Sequence, residues 1–144
     1  MTTSGVRLFA IVLSVALTAA ACSSDNSSSS VLPTPSGTVT TETFTGTVQP
    51  GSLDFHTFNV TTGGTINITL VAAGPPPTIT MGLAIGNPSS AGVCAVISGG
   101  STVTTPGTTA QLTGTVAAGS YCVEVVDVGN AAGAIAYTVT VAHT

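Results

Sequence analysis

Residues 65–71 read Thr-Ile-Asn-Ile-Thr-Leu-Val, and their alternation is strict: Ile66, Ile68 and Leu70 fall on one side, Thr65, Asn67 and Thr69 on the other. Successive side chains of an extended chain point to opposite faces, so the segment predicts a strand with one apolar and one polar face. A helix would scatter the same residues around its axis. Upstream, Thr62-Gly63-Gly64 is a turn, and residues 53–60 place His56, Phe58 and Val60 on one face. Gln49-Pro50-Gly51 is a further turn after the Thr-rich segment 39–48, which holds Phe44. Downstream, Gly74-Pro75-Pro76-Pro77 ends the strand, because prolines cannot donate to a central ladder.

The same period continues to the C-terminus. Residues 79–85 turn Ile79, Met81, Leu83 and Ile85 to one side, and a loop follows over residues 87–92. Residues 93–98 form a short strand, and the Gly/Ser/Thr/Pro stretch 98–107 reads as a loop. Residues 108–116 carry Ala110, Leu112, Gly114 and Val116 on one face, before a turn at residues 117–119. Residues 120–128 place Tyr121, Val123 and Val125 inward, with Cys122 and Glu124 outward. After a loop at 129–133, residues 134–142 place Ile135, Tyr137, Val139 and Val141 inward. About eight half-buried strands with Gly/Pro turns and no helical pattern imply two packed sheets. The expected class is all-β, an antiparallel β-sandwich or jelly roll.

Charge narrows the function. The chain has 144 residues; its one basic residue is Arg7, against Asp25, Glu42, Asp54, Glu124 and Asp127. Arg7 lies in a segment expected to be removed, and a surface left without Lys or Arg cannot neutralise phosphates, which excludes nucleic acid as a partner. It also lacks the Arg fork that grips phosphate or carboxylate ligands.

The N-terminal third reads as an address. Arg7 precedes the ten-residue apolar run Leu8–Leu17, too short to span a bilayer but suited to a secretory signal. Ala19, Ala20 and Ala21 then lead directly into Cys22, which resembles a bacterial lipobox, although its first position is more often Leu. The resemblance implies a signal peptide over residues 1–21 and lipid attachment at Cys22. Residues 22–38, with Ser23–Ser30 and Val31-Leu-Pro-Thr-Pro35, read as a Ser/Pro-rich tether, and residues 39–144 as the sandwich domain. The expected location is outside the cytoplasm, on the cell envelope, with the membrane contacted through the lipid.

Three runs of the domain carry a second resemblance. Gly46–Val60 has Asp54, His56, Phe58 and Val60 at alternate positions. Leu112–Val116 leads into Ala118-Gly-Ser-Tyr-Cys-Val-Glu-Val125, and Tyr137-Thr-Val-Thr-Val141 closes the domain. Over about residues 42–142 this is similar to the bacterial pre-peptidase C-terminal (PPC) domain. In that family His56 takes an aromatic place. Segment 79–85 lacks the Asp often found there, so a calcium site is not carried over. The resemblance implies a β-sandwich appended to secreted proteins, accessory rather than catalytic.

Few residues could do chemistry. With Cys22 acylated, Cys94 and Cys122 remain in an oxidising compartment, and a disulfide toward the outer face of the sheet is the expected outcome. Asp54 and His56 share a face and could form part of a metal site or an acid–base pair. The simpler expectation is Asp54 capping its turn and His56 replacing a core aromatic. His143 is expected to fray with the terminus, and Glu124 and Asp127, of opposite strand parity, to be solvated charges. No G-x-S-x-G elbow or phosphate loop is present. No catalytic residue, metal ligand or cofactor is therefore assigned. The expected function is a non-catalytic envelope lipoprotein that displays a PPC-like sandwich for contact with an envelope or extracellular protein. The alternative is a glycan-binding accessory module, which the absence of Trp disfavours.

Overall fold

The computed structural model describes residues 37–144, and the signal segment, Cys22 and most of the tether lie outside the described residues. Eight strands follow in order: β1 (Thr40–Val48), β2 (Leu53–Val60), β3 (Gly64–Gly74), β4 (Met81–Pro88), β5 (Cys94–Thr104), β6 (Leu112–Val116), β7 (Gly119–Asp127) and β8 (Ile135–His143). They form two four-stranded antiparallel sheets, ordered β1-β8-β3-β6 and β2-β7-β4-β5. First pairs with last, second with seventh, third with sixth and fourth with fifth. This nesting is a rolled-up hairpin, so the sandwich expected from the alternation has jelly-roll topology.

The inward residues of the periodic segments make the core. Ile66, Ile68 and Leu70 meet Val139 and Val141 in one sheet and face Met81, Leu83, Val123 and Val125 of the other, all buried. Each fully buried side chain of this size contributes about 1.5–3 kcal/mol relative to an exposed one. Tyr121 lies at the margin, half-buried, with its hydroxyl donating to the Ala117 carbonyl.

Two segments depart from the sequence reading. The stretch 98–107 is not a loop throughout: Ser101–Thr104 continue β5 against Met81–Ala84. Across the register shift, Ala84 faces Ser101 while Gly86 faces Val96, so Ile97–Gly100 bulge out opposite Ile85. Gly99 supplies the left-handed backbone the bulge needs, at φ +74°. The glycines and hydroxyl residues that resemble a loop are those a bulged edge strand uses. Conversely, β6 starts only at Leu112. Ahead of it, the Gln111 side chain replaces a strand: its Oε1 accepts from the Leu70 amide and its Nε2 donates to the Leu70 carbonyl.

Cys94 and Cys122 form a disulfide, with Cα atoms 5.8 Å apart. Cys122 faces away from the inter-sheet core that Val123 and Val125 enter, and stands beside Gly86 on the central strand β4. The bridge thus lies on the outer face of its sheet, but both cysteines are buried there. Both sheets, the core and the disulfide are closed within residues 37–144. The disulfide joins residues 28 apart. Replacing both cysteines with Ala is expected to lower the unfolding free energy by about 3–4 kcal/mol in a urea titration. An unchanged midpoint would show that the bridge does not constrain the unfolded chain.

Candidate functional site

The four acidic residues of the domain sit in four different settings, and the differences locate the site. Asp54 and His56 project from β2 toward β1 and β8 at one open side of the sandwich. Tyr137 donates its hydroxyl proton to Asp54 Oδ2 at 2.7 Å, and His56 Nε2 lies 2.9 Å from the same hydroxyl. With the Tyr137 proton committed to Asp54, the phenolic oxygen is left to accept from His56 Nε2–H. The His56 ring stacks on Phe44 at 5.1 Å, the aromatic role expected of it. Gly46 makes room for the group, since a Cβ there would collide with Asp54 Oδ2 and the Tyr137 hydroxyl. Burial, then the Asp54 carboxylate, push the Tyr137 hydroxyl above its ordinary range. A phenol held protonated is a poor base or nucleophile, so the trio is a structural network.

Asp54 therefore does not cap its turn; Asp127 does. Asp127 Oδ2 accepts from the Gly51 amide, and Oδ1 accepts from the amides of Gly129, Asn130 and Ala131. It is buried, not solvated as the sequence suggested, and ties the β1–β2 loop to the β7–β8 loop. The Asn130 side chain adds the β3–β4 connection by donating to the Thr80 carbonyl. The Gly51 hydrogen bond, foremost among these, holds the Asp127 carboxyl below its usual range. His143 is not frayed either. It ends β8, buried, its ring 5.7 Å from Phe58 and its Nε2 donating to Glu42 Oε1 at 3.1 Å. Glu42 thus has a partner, as Asp54 and Asp127 do.

Glu124 has none. It lies on the outer face of the β2-β7-β4-β5 sheet, where its parity put it, yet only 8% of it is exposed, and no hydrogen bond or ion pair reaches it among the described residues. Burial raises its carboxyl above the usual range. The cause is the surface around it. Gly82, Ala84 and Gly86 stand at alternate positions of β4, so the middle of this face is a floor without side chains. Val126 and Val128 rise on one side, Val96 and Val103 on the other, and Ser101 lies in register with Glu124 across Ala84. The result is a groove of about 400 Å³ with Glu124 in its wall. Leu53, Val96, Val103 and Val128, all on this face, are exposed, Val103 to 64%. The opposite outer face carries Thr41, Thr43, Thr45 and Thr47 beside Thr138 and Thr140, then Thr65, Asn67 and Thr69. One side of the sandwich is hydroxylated, and the other is apolar around a carboxylate.

Sequence reading placed Glu124 on the right face but missed the groove. The available signal was Gly82-Leu-Ala-Ile-Gly86, an alternation of small with large residues in which the small ones face outward. Among the described residues no three of His, Cys, Asp and Glu converge on a metal-holding group. No protein-family model matches the chain, and no curated protein is detectably similar to it in sequence.

Asp127 and Glu124 give opposite pH dependences. Folding favours the charged form of Asp127, so its contribution is present above about pH 3.8 and fades as pH falls through its lower folded value. Folding favours the neutral form of Glu124, so stability is lost as pH rises past about 4.5 through its higher folded value. Asp127→Asn is expected to be destabilised at neutral pH, the gap to wild type closing below pH 3.8. Glu124→Gln is expected to match wild type below pH 4.5 and exceed it at neutral pH. Thermal midpoints across the pH range check both signs.

Proposed function

We propose that the protein is a non-catalytic envelope lipoprotein, held by a lipid on Cys22, whose PPC-like sandwich makes protein contacts through the outer face of its β2-β7-β4-β5 sheet. The observation that carries the contact reading is the gathering of Leu53, Val96, Val103 and Val128 on that one face. Scattered exposed apolar residues are ordinary, but a contiguous patch around a concave floor is a mark of an interaction surface. The anchoring reading rests on Arg7, the Leu8–Leu17 run and the three alanines before Cys22. The Ser-rich segment after Cys22 fits a spacer between bilayer and domain. The PPC-like reading rests on Asp54, His56, Phe58, Val60 and Tyr137 at the positions quoted above, and on a sandwich of eight strands. Asp54, His56 and Tyr137 meeting in one hydrogen-bonded network gives those spaced residues a shared structural purpose.

Two measurements test the parts separately. Labelled palmitate should enter the wild-type protein and not Cys22→Ser, with the variant leaving the membrane fraction; unchanged label and fractionation would refute the anchor. A photo-crosslinking residue at position 103 should give a discrete protein adduct in intact envelopes, and the same residue at position 45, on the threonine face, should not. Equal adducts from both positions, or none from 103, would refute the contact face.

A further inference from the structure

Resting on that contact reading, we propose that the groove beside Glu124 receives a lysine side chain of a partner protein, its stem on the valines and its ammonium on the Glu124 carboxylate. A carboxylate set among apolar side chains gains from a cation brought against it. As a residue Glu124 is 8% exposed; it lines the groove, where its carboxylate oxygens still meet water, and it has no protein partner among the described residues. The described domain has no ammonium or guanidinium of its own to offer, since residues 37–144 contain no Lys or Arg. A second copy of the domain brings no Lys or Arg either, only His56 and His143, which are already engaged with Tyr137 and Glu42, so an ammonium comes from a different protein.

The shape of the groove selects among cations. Its walls are Val96, Val103, Val126 and Val128, which suit an aliphatic stem, and its floor of Gly82 and Ala84 lets a chain approach the backbone closely. Adjacent antiparallel strands lie about 5 Å apart, so Glu124 and Ser101 face each other across Ala84 at roughly 10 Å, room for one ammonium between them. The two carboxylate oxygens and the Ser101 hydroxyl match the three donors of an ammonium. A guanidinium brings five donors in a fixed fork and would leave some of them against valine. A divalent cation would find one carboxylate and no second charged ligand.

The test uses residues 37–144, which enclose both sheets, the core and the disulfide. The probes are Nα-acetyl-lysine methylamide, its Nε-acetylated form and the arginine equivalent, titrated against amide NMR spectra. The lysine amide should give saturable shifts confined to Gly82, Ala84, Ser101, Val103 and Val126, with a Kd of about 1 mM. Affinity should fall at least about tenfold for the Nε-acetylated form and for the Glu124→Gln protein, whose spectrum reports its folding. Glu42→Gln, on the other sheet, should bind as wild type does. The proposal is overturned if lysine amide gives no saturable shift up to tens of millimolar, if Nε-acetylation or Glu124→Gln changes nothing, or if arginine binds as well as lysine. The position-103 crosslink is read independently, so loss of lysine binding with the crosslink intact overturns this inference and leaves the contact face standing.

Discussion

Two sheet faces, each apolar on one side only, can leave water only by covering one another, and the rest of the domain follows from that contact. The described chain has four acidic side chains and no Lys or Arg, so ion pairing supplies little of its cohesion. What holds it is the interlayer of Ile66, Ile68, Leu70, Val139 and Val141 against Met81, Leu83, Val123 and Val125, together with the ladders that satisfy each strand's backbone. A one-residue slip in any strand would turn its apolar set outward, so the interlayer also fixes register. The nested pairing of first strand with last then leaves each sheet two edges and the sandwich two open sides.

Those open sides and the loop end are where polar groups have to be reconciled with burial. At one side, Gly46 gives up its side chain so that Asp54, Tyr137 and His56 can close a hydrogen-bonded trio. At the loop end, Asp127 gathers four backbone amides that no strand could satisfy. At the other end, His143 answers Glu42. Three acidic groups are thus matched within the fold by three different means: a phenol, a loop backbone and an imidazole. Glu124 is the fourth, and the fold offers it nothing, which is why it stands out as a place for an external group and not as another structural device.

The two outer faces differ for a reason that lies in β4. On the threonine face β1, β3, β6 and β8 each present threonines, with Thr43 and Thr69 flanking Thr140 in register. On the other face Gly82, Ala84 and Gly86 leave the centre empty, and the β5 bulge resets parity so that both Val96 and Val103 point outward around it. The disulfide occupies one stretch of the same face, beside Gly86, where a Cβ would crowd the Cys94 sulfur. Small residues on a central strand, a bulge on its edge neighbour and a carboxylate on the other neighbour together make the groove.

Period-two alternation made the strands, their inward residues and the two-sheet architecture readable along the chain, because a strand's faces are set by neighbours two residues away. The pairing of Cys94 with Cys122 followed from their number once Cys22 was set aside, and the outward parity of Cys122 and Glu124 followed from the same alternation. Boundaries were less legible: residues 101–104 looked like loop because a bulged strand and a loop use the same glycines and hydroxyls. What alternation could not give was how deeply an outward residue is buried. That depends on side chains in strands far along the sequence: Gly82 and Ala84 beside Glu124, Gly51 above Asp127, Glu42 and Phe58 around His143. The sequence by itself determined that the chain folds as a sandwich and which way the side chains of its clearly alternating segments face. Only the tertiary structure decided which carboxylates find partners, because hydrogen bonding and desolvation are set by non-local neighbours that one-dimensional periodicity does not encode.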